Sequence, residues 1–205
     1  MTETRLYRGL SADERRRRRD RQLREACLDV VADQGVAAVT VEQVCARAGL
    51  TKRYFYESFP DRDALLVAVL EELFRTVNRR IVAALLVAGP TRLDRSRAAV
   101  GELTDLLADD RRLARLYVEA AGHGTLRPHR DRTFARYAEF WLTNVLRRDP
   151  TDPLARLAAR HVIAGTTEVL CAWLGGELEL GRRRVIDALA ELGARDVPGP
   201  LGGAR

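Results

Sequence analysis

The segment from Thr40 to Leu65, TVEQVCARAGLTKRYFYESFPDRDAL, leaves the chain few folds to choose from. Thr40 and Gln43 stand three apart, the spacing at which a hydroxyl and an amide satisfy each other's orphan backbone groups at a helix start. Val41, Val44, Cys45 and Ala48 then follow at helical intervals. Gly49 closes this short helix, because the left-handed conformation that ends a helix costs least in glycine. Leu50 is placed to plug the corner, and Thr51 to cap a second helix, Lys52 to Ser58. Two short helices joined by a glycine turn form the unit that lays its second helix in the DNA major groove. That second helix offers Lys52, Arg53, Tyr54 and Tyr56 outward and keeps Phe55 for the core.

Over roughly Ala26 to Leu73 the chain resembles the TetR family of bacterial transcriptional repressors. The residues that carry the resemblance are Ala48-Gly49-Leu50-Thr51, then Phe55-Tyr56, Phe59, Arg62 and Leu65. It implies an all-helical homodimer with a DNA-binding head and a ligand-binding body. It also implies that Tyr56 and Arg62 contact phosphates. Tyr54 stands where the family usually has a small hydroxyl residue, Ser58 where an aromatic or histidine often touches the DNA backbone, and Cys45 where alanine is common.

The chain has 205 residues, enough for a small head and a larger body. A hydrophobic share of 46% supports a core, and a net charge of +6 favours a polyanionic partner. Nearly every base is arginine. The one lysine, Lys52, falls in the proposed recognition helix. Cys27, Cys45 and Cys171 lie within helical apolar patterns without CxxC spacing, as expected of free thiols in a reducing compartment. No window approaches the roughly 20 apolar residues of a membrane helix. No secretion signal is read at the N-terminus, and the chain is expected in the cytoplasm.

Along the chain, residues 1–10 are expected as a disordered arm and 11–60 as the DNA-binding domain. Ser11 and Glu14 make a second capping-box spacing, so the first helix is expected from Ala12, through the arginine block Arg15 to Arg19, to a stop at Gly35. Residues 61–193 are expected as a helical ligand-binding and dimerisation domain. A long helix behind Asp61 carries the stripe Leu65, Leu66, Val69, Leu73, Val77, Ile81 and Leu85. Further helices are expected near 92–108, 110–121, 128–148, 153–175 and 182–193, with Asp152 and Pro153 marking one start. The glycine- and proline-rich tail, 194–205, is expected to be disordered. The fold class is therefore all-α.

The candidate DNA-contacting residues are Thr40, Thr51, Lys52, Arg53, Tyr54, Tyr56 and Arg62, with Arg18 and Arg19 from the arginine block. Arg53 is suited to guanine, since a bidentate arginine discriminates by roughly 1–3 kcal/mol. The body offers Asn78, Tyr117, Phe134, Tyr137, Trp141, His161 and Thr166 as candidate ligand contacts; each can equally be core. The segments 153–175 and 182–193, with Val169 and Leu189 among their apolar residues, are expected to form a four-helix interface across a two-fold axis. The histidines match no zinc signature and no catalytic motif stands out, so neither metal, cofactor nor enzymatic activity is expected. These features point to a one-component regulator, a repressor by resemblance, that is expected to bind a palindromic operator as a homodimer and to be released by a small molecule. A nonspecific architectural DNA-binding protein without a ligand is the alternative. A helical carrier or enzyme is a third reading.

Overall fold

Three helices form the N-terminal head, and each boundary has a local cause. In the computed structural model, which describes residues 11–195, α1 spans Ala12–Gln34. The Ser11 hydroxyl accepts from the Glu14 N–H, and Glu14 accepts from the Ser11 N–H at 2.7 Å. Gly35 ends α1 at φ 89°, its N–H donating to the Val31 carbonyl. A 3-10 turn, Val36–Ala38, leads to α2, Val41–Ala48, where Thr40 and Gln43 form the expected reciprocal cap. Such a cap contributes on the order of 1 kcal/mol. Gly49 then turns the chain at φ 65°, and α3 spans Lys52–Ser58. Thr51 holds the cap position of α3, but its hydroxyl makes no capping bond. The residue is exposed, so water can satisfy the first N–H groups of this short helix. Leu23, Cys27, Val31, Val44, Phe55 and Leu65 are fully enclosed and hold the three helices together.

From the head, α4 (Arg62–Val87) runs on into the body. Asp61 caps it by accepting from the Ala64 N–H at 2.7 Å. At 26 residues it is about 39 Å long. Its buried face continues from Leu65 through Phe74 and Ile81 to Leu85. The body adds α5 (Arg92–Asp109), α6 (Arg111–Glu119), α7 (Leu126–Trp141), α8 (Pro153–Leu174) and α9 (Arg182–Ala194). Among the described residues the secondary structure is entirely helical.

The helix expected over 128–148 starts earlier and does not stay α-helical. Leu142–Leu146 form a π-turn, closed by Arg147 in the left-handed region at φ 51°. Here Thr143 and Asn144 donate their side chains to the carbonyls of Glu139 and Phe140, four residues back. Those are the acceptors an α-helical backbone would use, so side chain and ladder compete. Next to this turn α9 lies close against the body. A Cβ on Gly193 would stand 2.8 Å from the Trp141 ring and 2.9 Å from Ser96 Oγ.

The arm expected over 1–10 and most of the tail expected beyond 193 lie outside the described residues; α9 includes Ala194. The three cysteines are free thiols. Cys27 and Cys45 are buried and Cys171 is half-buried. Burial pushes the Cys27 thiol up to about 12. Among the described residues no helix is long and apolar enough to cross a membrane, and no group of three or more His, Cys, Asp or Glu is placed to hold a metal ion.

Candidate nucleic-acid interface and effector cavity

The glycine turn at Gly49 leaves α3 with one buried anchor, Phe55, and a polar outer surface. Lys52, Arg53, Tyr54 and Tyr56 are all exposed there, as are Thr40 and Thr51 beside them. The cations are not loose. Lys52 pairs with Glu42 of α2, which keeps both groups firmly charged. Arg53 Nε meets Glu57 Oε1 at 3.2 Å, one helical turn on. Arg19 of α1 donates to the other oxygen of Glu57 at 3.4 Å and lies 4.6 Å over the Tyr54 ring. Arg16 donates to the Glu57 carbonyl at 3.2 Å. The unusual Tyr54 thus serves as a platform joining α1 to α3. Arg18 is exposed. Arg62 sits at the start of α4 and donates to the Val39 carbonyl at 3.3 Å and to Asp63. Glu42, Glu57 and Arg16 escape a motif-based reading. The four-residue spacing of Arg53 and Glu57 is the signal that could have found one of them.

In the body, five of the seven candidate ligand residues converge. Tyr117, Phe134, Tyr137, Trp141 and Thr166 line one apolar cavity of about 50 Å³, walled also by Phe74, Val77 and Ile81 of α4. Phe74 is the hub. Its ring meets Phe134 at 5.9 Å, Tyr137 at 6.1 Å and Tyr117 at 6.5 Å, each edge to face. The Tyr117 hydroxyl pairs with Thr167 at 3.2 Å, and Tyr137 donates to the Phe74 carbonyl at 2.9 Å. Burial raises both phenols' pKa values, so they stay neutral donors. Asn78 lies just outside, in a groove that shares Phe74, Tyr137 and Phe140 with the cavity. His161 is placed elsewhere: it is exposed and lines a groove with Leu189 and Leu192 on the outer side of α8. Phe74 and Phe140 are the aromatics that the sequence reading left out of the cavity.

Between these two regions α6 grips the end of α1. Arg112 reaches Asp29 at 2.9 Å and Glu25 at 3.1 Å while bonded to Asp110. Arg115 donates to the Ala32 carbonyl at 2.8 Å, and Glu119 accepts from the Val36 N–H at 2.6 Å. Tyr117, on the same helix, reaches the cavity. Asp63 at the base of α4 accepts from Thr125, just before α7, at 2.7 Å.

A helix-turn-helix head joined by one continuous helix to an all-helical body with an aromatic cavity defines a class of DNA-binding regulator. Residues 23–69 match the family model described as bacterial regulatory proteins, tetR family. The match covers the helix-turn-helix head and the first turns of α4. No curated protein matches the chain in sequence. Among solved structures it is similar to the fatty acid degradation regulator FadR from Bacillus halodurans, with TM-score 0.73 at 18% identity over 91% of this chain and 97% of that one. FadR from Bacillus subtilis, in complex with stearoyl-CoA, gives TM-score 0.69 at 18% identity over 85% and 97%. AibR, in complex with isovaleryl coenzyme A and operator DNA, gives 0.65 at 15% identity over 85% and 97%.

Proposed function

We propose that the protein is an effector-controlled repressor that binds a palindromic operator as a homodimer. The observation that carries the reading is α4 itself. Its first residue, Arg62, belongs to the head, and its middle, Phe74 to Ile81, walls the cavity. Ligand pockets span roughly 300–1,000 Å³, so a cavity of about 50 Å³ has to widen before it admits an effector. Widening parts α4 from α7 and breaks the Tyr137–Phe74 bond. The head then swings with α4. Two heads must meet successive major grooves about 34–36 Å apart, and an effector that favours another spacing weakens binding by population shift. In this reading Lys52, Arg53 and Tyr54 face base edges, while Tyr56, Arg62, Arg18 and Arg19 face phosphates. Coenzyme A thioesters enter as the effector class because two of the structural neighbours hold them.

The dimer surface is assigned to the outer faces of α8 and α9, where Leu157 is 65% and Leu192 50% exposed. Leu189, expected in this interface, is buried inside the protomer, only 3% exposed, and is left out. The test is binding to an inverted repeat flanking the coding region against a random duplex of equal length. A specific ratio of about 10³ or more is expected, with release by acyl-CoA. A ratio near one instead fits an architectural protein. Sedimentation of Leu157→Glu/Leu192→Glu should show folded monomers, and an unchanged dimer would move the interface elsewhere.

A further inference from the structure

We propose that the groove outside the cavity is a dedicated subsite for the phosphates of the same effector, formed by Arg75, Arg79 and Arg136. This inference rests on the regulator reading and deepens it. The groove encloses about 660 Å³, within the range of small-molecule sites. Arg75 and Arg79 stand four apart on α4 and so share a face. Arg136 approaches from α7, beside Tyr137. Their existing partners are weak competitors for an anion. Arg75 and Arg79 share one carboxylate, Glu72, at 2.9 and 3.5 Å. Arg136 donates to the neutral Thr133 hydroxyl at 3.2 Å, and no carboxylate among the described residues pairs with it. The groove's own carboxylate, Glu71, lies 3.6 Å from His129 Nδ1. Three guanidiniums therefore line the groove against one carboxylate.

The partition between groove and cavity names the ligand. Phe74, Tyr137 and Phe140 line both spaces, with the Tyr137–Phe74 bond as the latch between them. A molecule that passes this latch leaves an apolar part among Tyr117, Phe134 and Ile163 and its polar end among the arginines. Guanidinium matches both carboxylate and phosphate. One carboxylate has oxygens for one bidentate partner, whereas a group with several phosphates can occupy all three arginines. The groove thus selects a phosphate-bearing amphiphile, the coenzyme A thioester, over the free fatty acid of the same chain. The cavity holds only the apolar tail.

Calorimetric titration of the full chain with butyryl-, octanoyl- and palmitoyl-CoA, the matching free acids and coenzyme A tests this. For at least one chain length the thioester should bind at least about tenfold tighter than its acid, the scale of one charge-assisted bond. In Arg79→Gln/Arg136→Gln, both exposed positions, that preference should collapse while binding of the acid changes little. Unchanged thioester affinity in the variant, or equal losses for thioester and acid, overturns the phosphate subsite. Coenzyme A alone binding as tightly as every thioester overturns the shared cavity and groove. If neither thioester nor acid binds, the inference fails. The regulator reading is judged separately, by operator binding of the same preparation without ligand.

Discussion

The recognition surface of the head and the cavity of the body are built on opposite plans. On the head, functional groups stand in water and are held in place by their neighbours: Arg53 and Arg19 on Glu57, Lys52 on Glu42, Arg19 over Tyr54. In the body, the corresponding side chains are aromatic, packed on one another and almost close the space they line. The head presents its surface ready for a rigid partner. In the proposed reading the body has to be pushed open by its effector, and that work would move α4. Their glycines differ in the same way. Gly49 is needed for its backbone angle, since nothing lies within 4 Å of where its Cβ would be. Gly193 is needed for its lack of volume.

The largest effect should come from filling that volume. Gly193→Val should overpack Trp141 and Ser96 at a cost of about 2–3 kcal/mol, lowering Tm by roughly 5–10 °C for a chain of this size. Scanning calorimetry reads it directly. Gly49→Ala should cost less, about 1–2 kcal/mol, all of it strain in the left-handed region. Gly49→Asn should recover part of it, because asparagine tolerates that region. If Gly49→Ala proves the costlier of the two, the contrast between angle and volume is wrong.

Glu57→Gln probes how the head holds its cations. Exposed pairs contribute about 0.2–1 kcal/mol, so random-duplex affinity should rise roughly twofold to fivefold as Arg53 and Arg19 are freed. The ratio of operator to random binding should fall, since the arginines lose their fixed direction. Fluorescence anisotropy at two salt concentrations measures both. A ratio that rises would mean that Glu57 opposes the operator rather than orienting its readers.

The smallest effect lies where the regions meet. The Thr125 hydroxyl, aided by Arg62 against some desolvation, holds the Asp63 carboxyl below the ordinary carboxylate range. The stability gained is therefore present above the unfolded pKa, near 3.9, and lost as pH falls through the lowered folded value. Thr125→Val should be slightly less stable than the parent at about pH 6, and the gap should close toward about pH 3. Denaturant titrations across that interval would show it, and a gap that widens on acidification reverses the sign.

Local chemistry was readable before the structure. Ser11 with Glu14, Thr40 with Gln43, Asp61, Asp152 and Gly49 each act within four residues of the chain, and each stands where spacing placed it. Phe134, Tyr137 and Trp141 were readable because aromatics at three- and four-residue spacing on one helix had to share a face, whereas Tyr117 and Thr166 reach the same cavity from α6 and α8. What needed the fold was every pairing between distant elements. Tyr54 looks like an oddity in α3 until α1 brings Arg19 above it. His161 and Thr166 sit on one helix, and periodicity alone could not say which of them faces inward. Trp141 lines the cavity but also donates to the Gly193 carbonyl at 3.4 Å, a link to α9 that no local pattern announces. The arginine groove was invisible for the same reason, since Arg136 and Arg79 are 57 residues apart in sequence.

The solitary lysine has a practical consequence. Because every other cationic side chain apart from histidine is arginine, Lys52 carries the chain's one side-chain amine. An amine-directed tag or an acetyl group therefore lands, among side chains, at the centre of the surface assigned to DNA. Its bond to Glu42 raises its pKa and slows such acylation at neutral pH. Labelling kinetics at this one position become a direct gauge of whether that surface is covered.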